Sequence, residues 1–212
     1  SYDRSMCVGA SRCSRTATER VHLRLCVSRS GPGQGDSHEP GYFRRPISAR
    51  MSEQIALPAT TDRVELYSAL LPQVRALLGE ERDLVAAMAN MSAALRGAFG
   101  WHWVGFYRVM GAELVLGPFQ GPVACSRIGH GKGVCGTAWA EEKVLIVPDV
   151  EKFPGHIACS ALSRSEIVVP IRDRNGRVAA VLDIDSTELA EFSEVDAHAL
   201  DRLCALLEPL FE

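Results

Sequence analysis

Apolar positions along this chain change period partway, and the change separates a helical layer from a sheet. Over about residues 61–78, Val64, Leu66, Leu70, Val74, Leu77 and Leu78 recur at roughly helical spacing and Gly79 stops the run, which predicts a helix. Pro72 inside it predicts a kink or a break, because proline lacks the amide hydrogen and crowds the preceding turn. A second helix is expected over about 80–99, with Leu84, Met88, Met91, Ala94 and Leu95 along one side and the methionines as core filler. After Gly100 the residues 103–109, 113–116 and 123–128 are short β-rich runs separated by glycine and proline, and read as strands. A glycine-rich loop at 131–133 enters a short helix, residues 144–147 form a buried strand, and 148–165 is a long irregular loop of the kind that carries function. Strands at 166–171 and 178–185 flank Asp173-Arg174-Asn175-Gly176, whose Asn-Gly pair signals a hairpin. Ser193-Glu194-Val195-Asp196 reads as a capping box that opens a last helix running through Leu210. Helices, about six strands, then a closing helix argue for an α+β fold with an antiparallel sheet.

Composition adds little until it is divided. With 212 residues, 47% hydrophobic and 23% charged, the chain is ordinary globular material for one domain with an appendage. A formal charge of −3 gives no argument for nucleic acid, and the longest apolar runs are strand-sized, so no transmembrane helix is expected. Residues 1–50, however, hold nine arginines, no lysine and four acids, about +5, which leaves 14 basic and 22 acidic side chains, −8, for the rest. That first stretch has no hydrophobic period and contains Ser30-Gly31-Pro32-Gly33-Gln34-Gly35. A basic arm and an Arg-rich transit segment are the two active readings. The reading adopted is a disordered or non-native leader, upstream sequence read through before a start at Met51, followed by a linker at 51–60 and a catalytic domain at 61–212. No secretory signal leads into Met51, so reduced thiols and a cytoplasmic location are expected.

Those thiols raise the question of chemistry. Three of the seven cysteines lie in the leader, leaving Cys125, Cys135, Cys159 and Cys204. Cys204 falls in an apolar helical stripe and reads as core. Spacings of ten and twenty-four residues do not match zinc ligand pairs, so no metal is expected, and His130 and His156 read as loop residues. Cys159, in the long loop after Gly155-His156, is well placed for an exposed nucleophile. Asp183 and Asp185 are two apart on one strand and so share a face, among apolar neighbours where an unpaired acid is costly. Glu166 begins the neighbouring strand and can join them. Three such carboxylates suit an ammonium group, and their repulsion raises at least one pKa, keeping a proton available.

The segments Leu116-Gly117-Pro118-Phe119-Gln120-Gly121-Pro122-Val123-Ala124-Cys125 and Gly131-Lys132-Gly133-Val134-Cys135-Gly136-Thr137-Ala138 are followed by Gly155-His156-Ile157-Ala158-Cys159. Then come Ser165-Glu166-Ile167-Val168-Val169-Pro170 and Val181-Leu182-Asp183-Ile184-Asp185-Ser186. With Trp103-Val104-Gly105-Phe106-Tyr107 before it, this series closely resembles the GAF-domain free methionine-(R)-sulfoxide reductases over about residues 61–211. The leader and a hairpin turn one residue longer depart from that pattern, and neither falls on a motif. The resemblance implies a GAF-like fold and thiol-dependent reduction of free L-methionine (R)-S-oxide to methionine, through a cysteine sulfenic acid and an intramolecular disulfide. It assigns attack to Cys159 and resolution chiefly to Cys125, with Cys135 as a relay or substitute. It places Glu166, Asp183 and Asp185 in the substrate pocket, Trp103 against the substrate methyl group, and thioredoxin as the reductant, with no cofactor and with a homodimer. Backbone amides of the 131–133 loop suit the substrate carboxylate. The competing reading is a non-catalytic GAF module that senses a small ligand; nothing in the chain resembles an output domain for it. Repair of methionine sulfoxide within proteins is disfavoured, since a peptide-bound residue lacks the ammonium.

Overall fold

The computed structural model describes residues 55–157 and 160–211. The expected leader at 1–50 and the cysteine at position 159 lie outside these residues. Two helices come first, α1 (Arg63–Leu78) and α2 (Leu84–Phe99). Then follow β1 (Trp103–Met110), β2 (Glu113–Gln120), β3 (Arg127–Gly129), α3 (Gly133–Glu141), β4 (Leu145–Val147), β5 (Ser165–Arg172), β6 (Val178–Ser186) and α4 (Glu194–Cys204). Asp62 and Asp83 cap α1 and α2 by accepting from first-turn amides, and Gly79 and Gly100 end them at positive φ.

The six strands form one antiparallel sheet in the order β3-β2-β1-β6-β5-β4. Consecutive hairpins build each half, and the pairing of β1 with β6 joins the halves at the centre. Alternation then gives the sheet two different faces. Val104, Phe106, Ile167, Val169, Ile171, Ala180, Leu182 and Ile184 point to one side, where α1, α2 and α4 cover them with Leu70, Val74, Met88, Met91, Leu95, Leu200 and Leu203. Trp103, Tyr107, Val168 and Val181 point to the other, where α3 covers part of the surface with Val134, Cys135 and Ala138. Both methionines of α2 are fully buried core, as their helical spacing predicts.

Four expectations need correction. Helix α1 runs through Pro72 without a break. Helix α2 starts at Leu84, where Asp83 supplies the cap. Strand β3 is only Arg127–Gly129; the residues before it are irregular and Val123 is 87% exposed, so that run had no face to bury. Helix α4 ends at Cys204 and gives way to a 3-10 turn at Glu208–Leu210, with Pro209 inside it. The Ser193–Asp196 capping box forms as expected.

Candidate active site

The candidate site lies on the face of the sheet that α3 leaves partly open. Asp183 pairs across β1 with Gly105 and across β5 with Val168; Asp185 pairs with Trp103 and with Glu166. Register therefore brings Glu166, Asp183 and Asp185 side by side on one face, the arrangement their spacing predicts. Glu166 and Asp183 are 6% and 7% exposed, values that ordinary surface acids never approach.

Helix α3 brings the fourth member. Gly136 sits so close to the Gly129 carbonyl that a Cβ there would lie 2.3 Å from the oxygen, and the absence of a side chain lets α3 press against the end of β3. This close approach buries Cys135 against the acids, where its thiol donates to Glu166 Oε1 at 3.8 Å. Glu166 Oε2 lies 4.0 Å from His156 Nε2. Asp183 Oδ1 is buried with no hydrogen-bond partner. Ile128, Lys132, Gly133, Val134, Ile157 and Ser163 complete the walls of a small cavity around this cluster. His156 read as a loop residue in the Gly155–Cys159 segment, and Ser163 carried no distinguishing signal in the sequence; both arrive from the long loop.

Electrostatics follow from the geometry. Burial, then the charges of Asp183 and Asp185, push the Glu166 carboxyl well above its usual range. Burial and Asp185 do the same to Asp183. Burial raises Asp185 to about 6, with the Ser163 hydroxyl partly offsetting it. The Cys135 thiol is pushed up by burial and by Asp183 and Glu166, so it stays protonated and is a poor nucleophile. Burial holds the His156 imidazole down, toward its neutral form.

The remaining expected residues lie nearby or outside. Trp103 is on the same face, 3% exposed, stacked on Phe119 at 5.3 Å and Tyr107 at 5.9 Å, and donates to the Pro122 carbonyl. Its ring crosses over Gly105, where a Cβ would come within 2.5 Å of it. Trp103 does not line the small acid cavity. Cys125 is half-buried and disulfide-bonded, and its carbonyl accepts from the Tyr107 hydroxyl at 3.0 Å. Cys159 lies outside the described residues. Cys204 is buried in the helical core. Two sides of the cavity therefore differ in chemistry: an acidic floor from β5 and β6, and the N-terminal turn of α3, whose cap position Lys132 makes no side-chain cap bond.

Comparison with known proteins agrees with this fold. Residues 81–212 match the family model described as GAF domain. A GAF domain-containing protein A of Dictyostelium discoideum is 56% identical over 68% of this chain and 91% of its own. The free methionine-R-sulfoxide reductase of Escherichia coli is 45% identical over 69% of this chain and 89% of its own. The structure of free methionine-R-sulfoxide reductase from Neisseria meningitidis in complex with its substrate superposes with a TM-score of 0.71 at 52% identity, covering 74% of this chain and 95% of that one. The chain belongs to the GAF-domain family and, within it, to the free methionine-(R)-sulfoxide reductases.

Proposed function

We propose that this chain reduces free L-methionine (R)-sulfoxide to methionine, with the substrate ammonium seated on Glu166, Asp183 and Asp185. The observation that carries the reading is a cluster of three adjacent carboxylates, Glu166 and Asp183 buried and Asp185 half-buried, with no cationic side chain among the residues lining their cavity except Lys132, which is exposed. An ammonium supplies the missing charge, and a peptide-bound methionine sulfoxide has none to offer. Gly133, Val134 and Cys135 of the first turn of α3 line the same cavity, and with no side-chain cap from Lys132 their amides suit the carboxylate of an amino acid. Trp103, beside Asp185 on the same face but outside the small cavity, becomes the apolar wall for the methyl end only as the pocket opens. The cavity holds about 30 Å³, room for a water or two, so its walls part when substrate enters.

The chemistry runs in three steps. The Cys159 thiolate attacks the sulfoxide sulfur while a protonated pocket carboxyl, raised by its neighbours, delivers a proton to the oxygen. Oxygen passes to cysteine, giving methionine and a Cys159 sulfenic acid. The Cys125 thiol condenses with it, releasing water and leaving a disulfide, which thioredoxin resets by exchange. Cys135, buried and protonated, holds Glu166 by its thiol hydrogen bond and serves as a reserve thiol.

Steady-state turnover of the two free sulfoxide epimers, with a thioredoxin system supplying electrons, tests the reading. The R epimer should be reduced and the S epimer left untouched. No turnover of either would favour a ligand-sensing module.

A further inference from the structure

Cys135 Sγ, a Glu166 carboxylate oxygen and an Asp183 carboxylate oxygen lie within 4.8 Å of one another, and all three residues are buried. Small side-chain movements bring such atoms to the bonds of about 2.0–2.3 Å that zinc makes with sulfur and oxygen. His156, with Nε2 at 4.0 Å from Glu166 Oε2, stands at the edge of the same group as a nitrogen donor. A second observation points into the triangle. Asp183 Oδ1 is buried and accepts no hydrogen bond, a costly state for an acceptor and one that a cation relieves.

We infer that Cys135, Glu166 and Asp183 form a binding site for a thiophilic divalent cation of the zinc class, and that the ion excludes substrate from the pocket. The thiol selects the class. Magnesium and calcium prefer sites made wholly of oxygen, whereas sulfur with carboxylate and imidazole suits zinc and its spectroscopic stand-in cobalt. On binding, the Cys135 S–H bond is exchanged for a sulfur–metal bond, the proton leaves to solvent, and no electron moves. Exclusion of substrate rests on the proposed seating of its ammonium on these acids; the ion site itself does not. The consequence for the cell is an enzyme that free zinc silences without oxidising it.

Cobalt titration of the full chain, without added reductant so that disulfides stay closed, tests this. A thiolate-to-cobalt charge-transfer band should grow to one equivalent and be displaced by zinc. Cys135→Ser should remove the band, and Asp183→Asn should weaken binding by roughly tenfold or more, with far-UV circular dichroism confirming that each variant is folded. The same band and stoichiometry in both variants would overturn the site, because the ion would then sit on other thiols. Asp183→Asn, nearly isosteric, carries the test alone should Cys135→Ser fail to fold. Free methionine, added to the cobalt form, should abolish the band. A band that both variants lose but methionine leaves untouched would keep the ion site and overturn the seating of the ammonium.

Discussion

Asp185 has a proton equilibrium raised by burial to about 6, from an ordinary 3.8. Between those two values the folded protein binds more protons than the unfolded chain, so this residue's contribution to stability falls as pH rises through that window. Asp185→Asn removes the effect. The variant should match wild type near pH 4 and exceed it at pH 8 by about 1–2 kcal/mol, or roughly 3–6 °C in Tm. A difference that shrinks as pH rises would contradict the assignment. The cysteines separate by a different readout. Cys159→Ser should abolish single-turnover methionine formation, since a hydroxyl cannot replace the thiolate at sulfur. Cys125→Ser should keep one stoichiometric turnover, measured by methionine released, and slow recycling by thioredoxin. Recycling at the wild-type rate would make Cys135 the resolver, despite its raised thiol pKa.

Two contacts between elements set the frame for the pocket. Asp196 caps α4 by accepting from the Ser193 amide and also accepts from the Tyr67 hydroxyl at 2.9 Å and from Arg63, tying α1 to α4 from a 1% exposed position. Asp196→Ala leaves that buried hydroxyl and the cap amide unpaired and should cost roughly 2–4 kcal/mol in denaturant unfolding. At the other face, Gly136→Ala would push a Cβ against the Gly129 carbonyl, which is backbone and cannot swing aside. Helix α3 must then shift, at roughly 1–3 kcal/mol, and carry Cys135 and the first-turn amides off the acids. The specificity constant should fall more steeply than stability alone explains; an unchanged value would show that α3 does not shape the pocket. Element types were legible because the 3.6-residue period is a strong signal over α2 and α4, and because glycine, proline and the Asn-Gly pair bound the β-rich runs of β1, β5 and β6. Boundaries were less so. A three-residue strand such as β3 carries too few positions to show a period, and the end of α4 depends on the turn around Pro209 rather than on the apolar stripe, which continues past it.

Across the whole molecule, one sheet separates stability from chemistry: one face is sealed by α1, α2 and α4, and the other is partly covered by α3 and keeps the acids. Much of this was legible from Asp183 and Asp185, two acids two apart in an apolar strand, with Glu166 on a strand predicted to pair beside it. The rest depends on contacts between residues distant in sequence. The thiol hydrogen bond from Cys135 to Glu166 exists because Gly136 meets Gly129, and Ser163 and His156 reach the cavity from a loop with no period. Among the described residues no helix is long and apolar enough to cross a membrane. A chain beginning at Met51 should keep the Tm of the full chain, and its turnover within about twofold, since residues 1–50 hold no motif and no hydrophobic period; a large loss of either would give those residues a structural role. The proposed seating of a free ammonium in this pocket is tested most directly by the specificity constant for N-acetyl methionine sulfoxide against that for the free amino acid. Losing a charge-assisted contact of roughly 1.5–3 kcal/mol lowers the constant by about one to two decades, and leaving the acids buried without a cation lowers it further. Equal constants for the two substrates would contradict the account and favour methionine sulfoxide within a peptide.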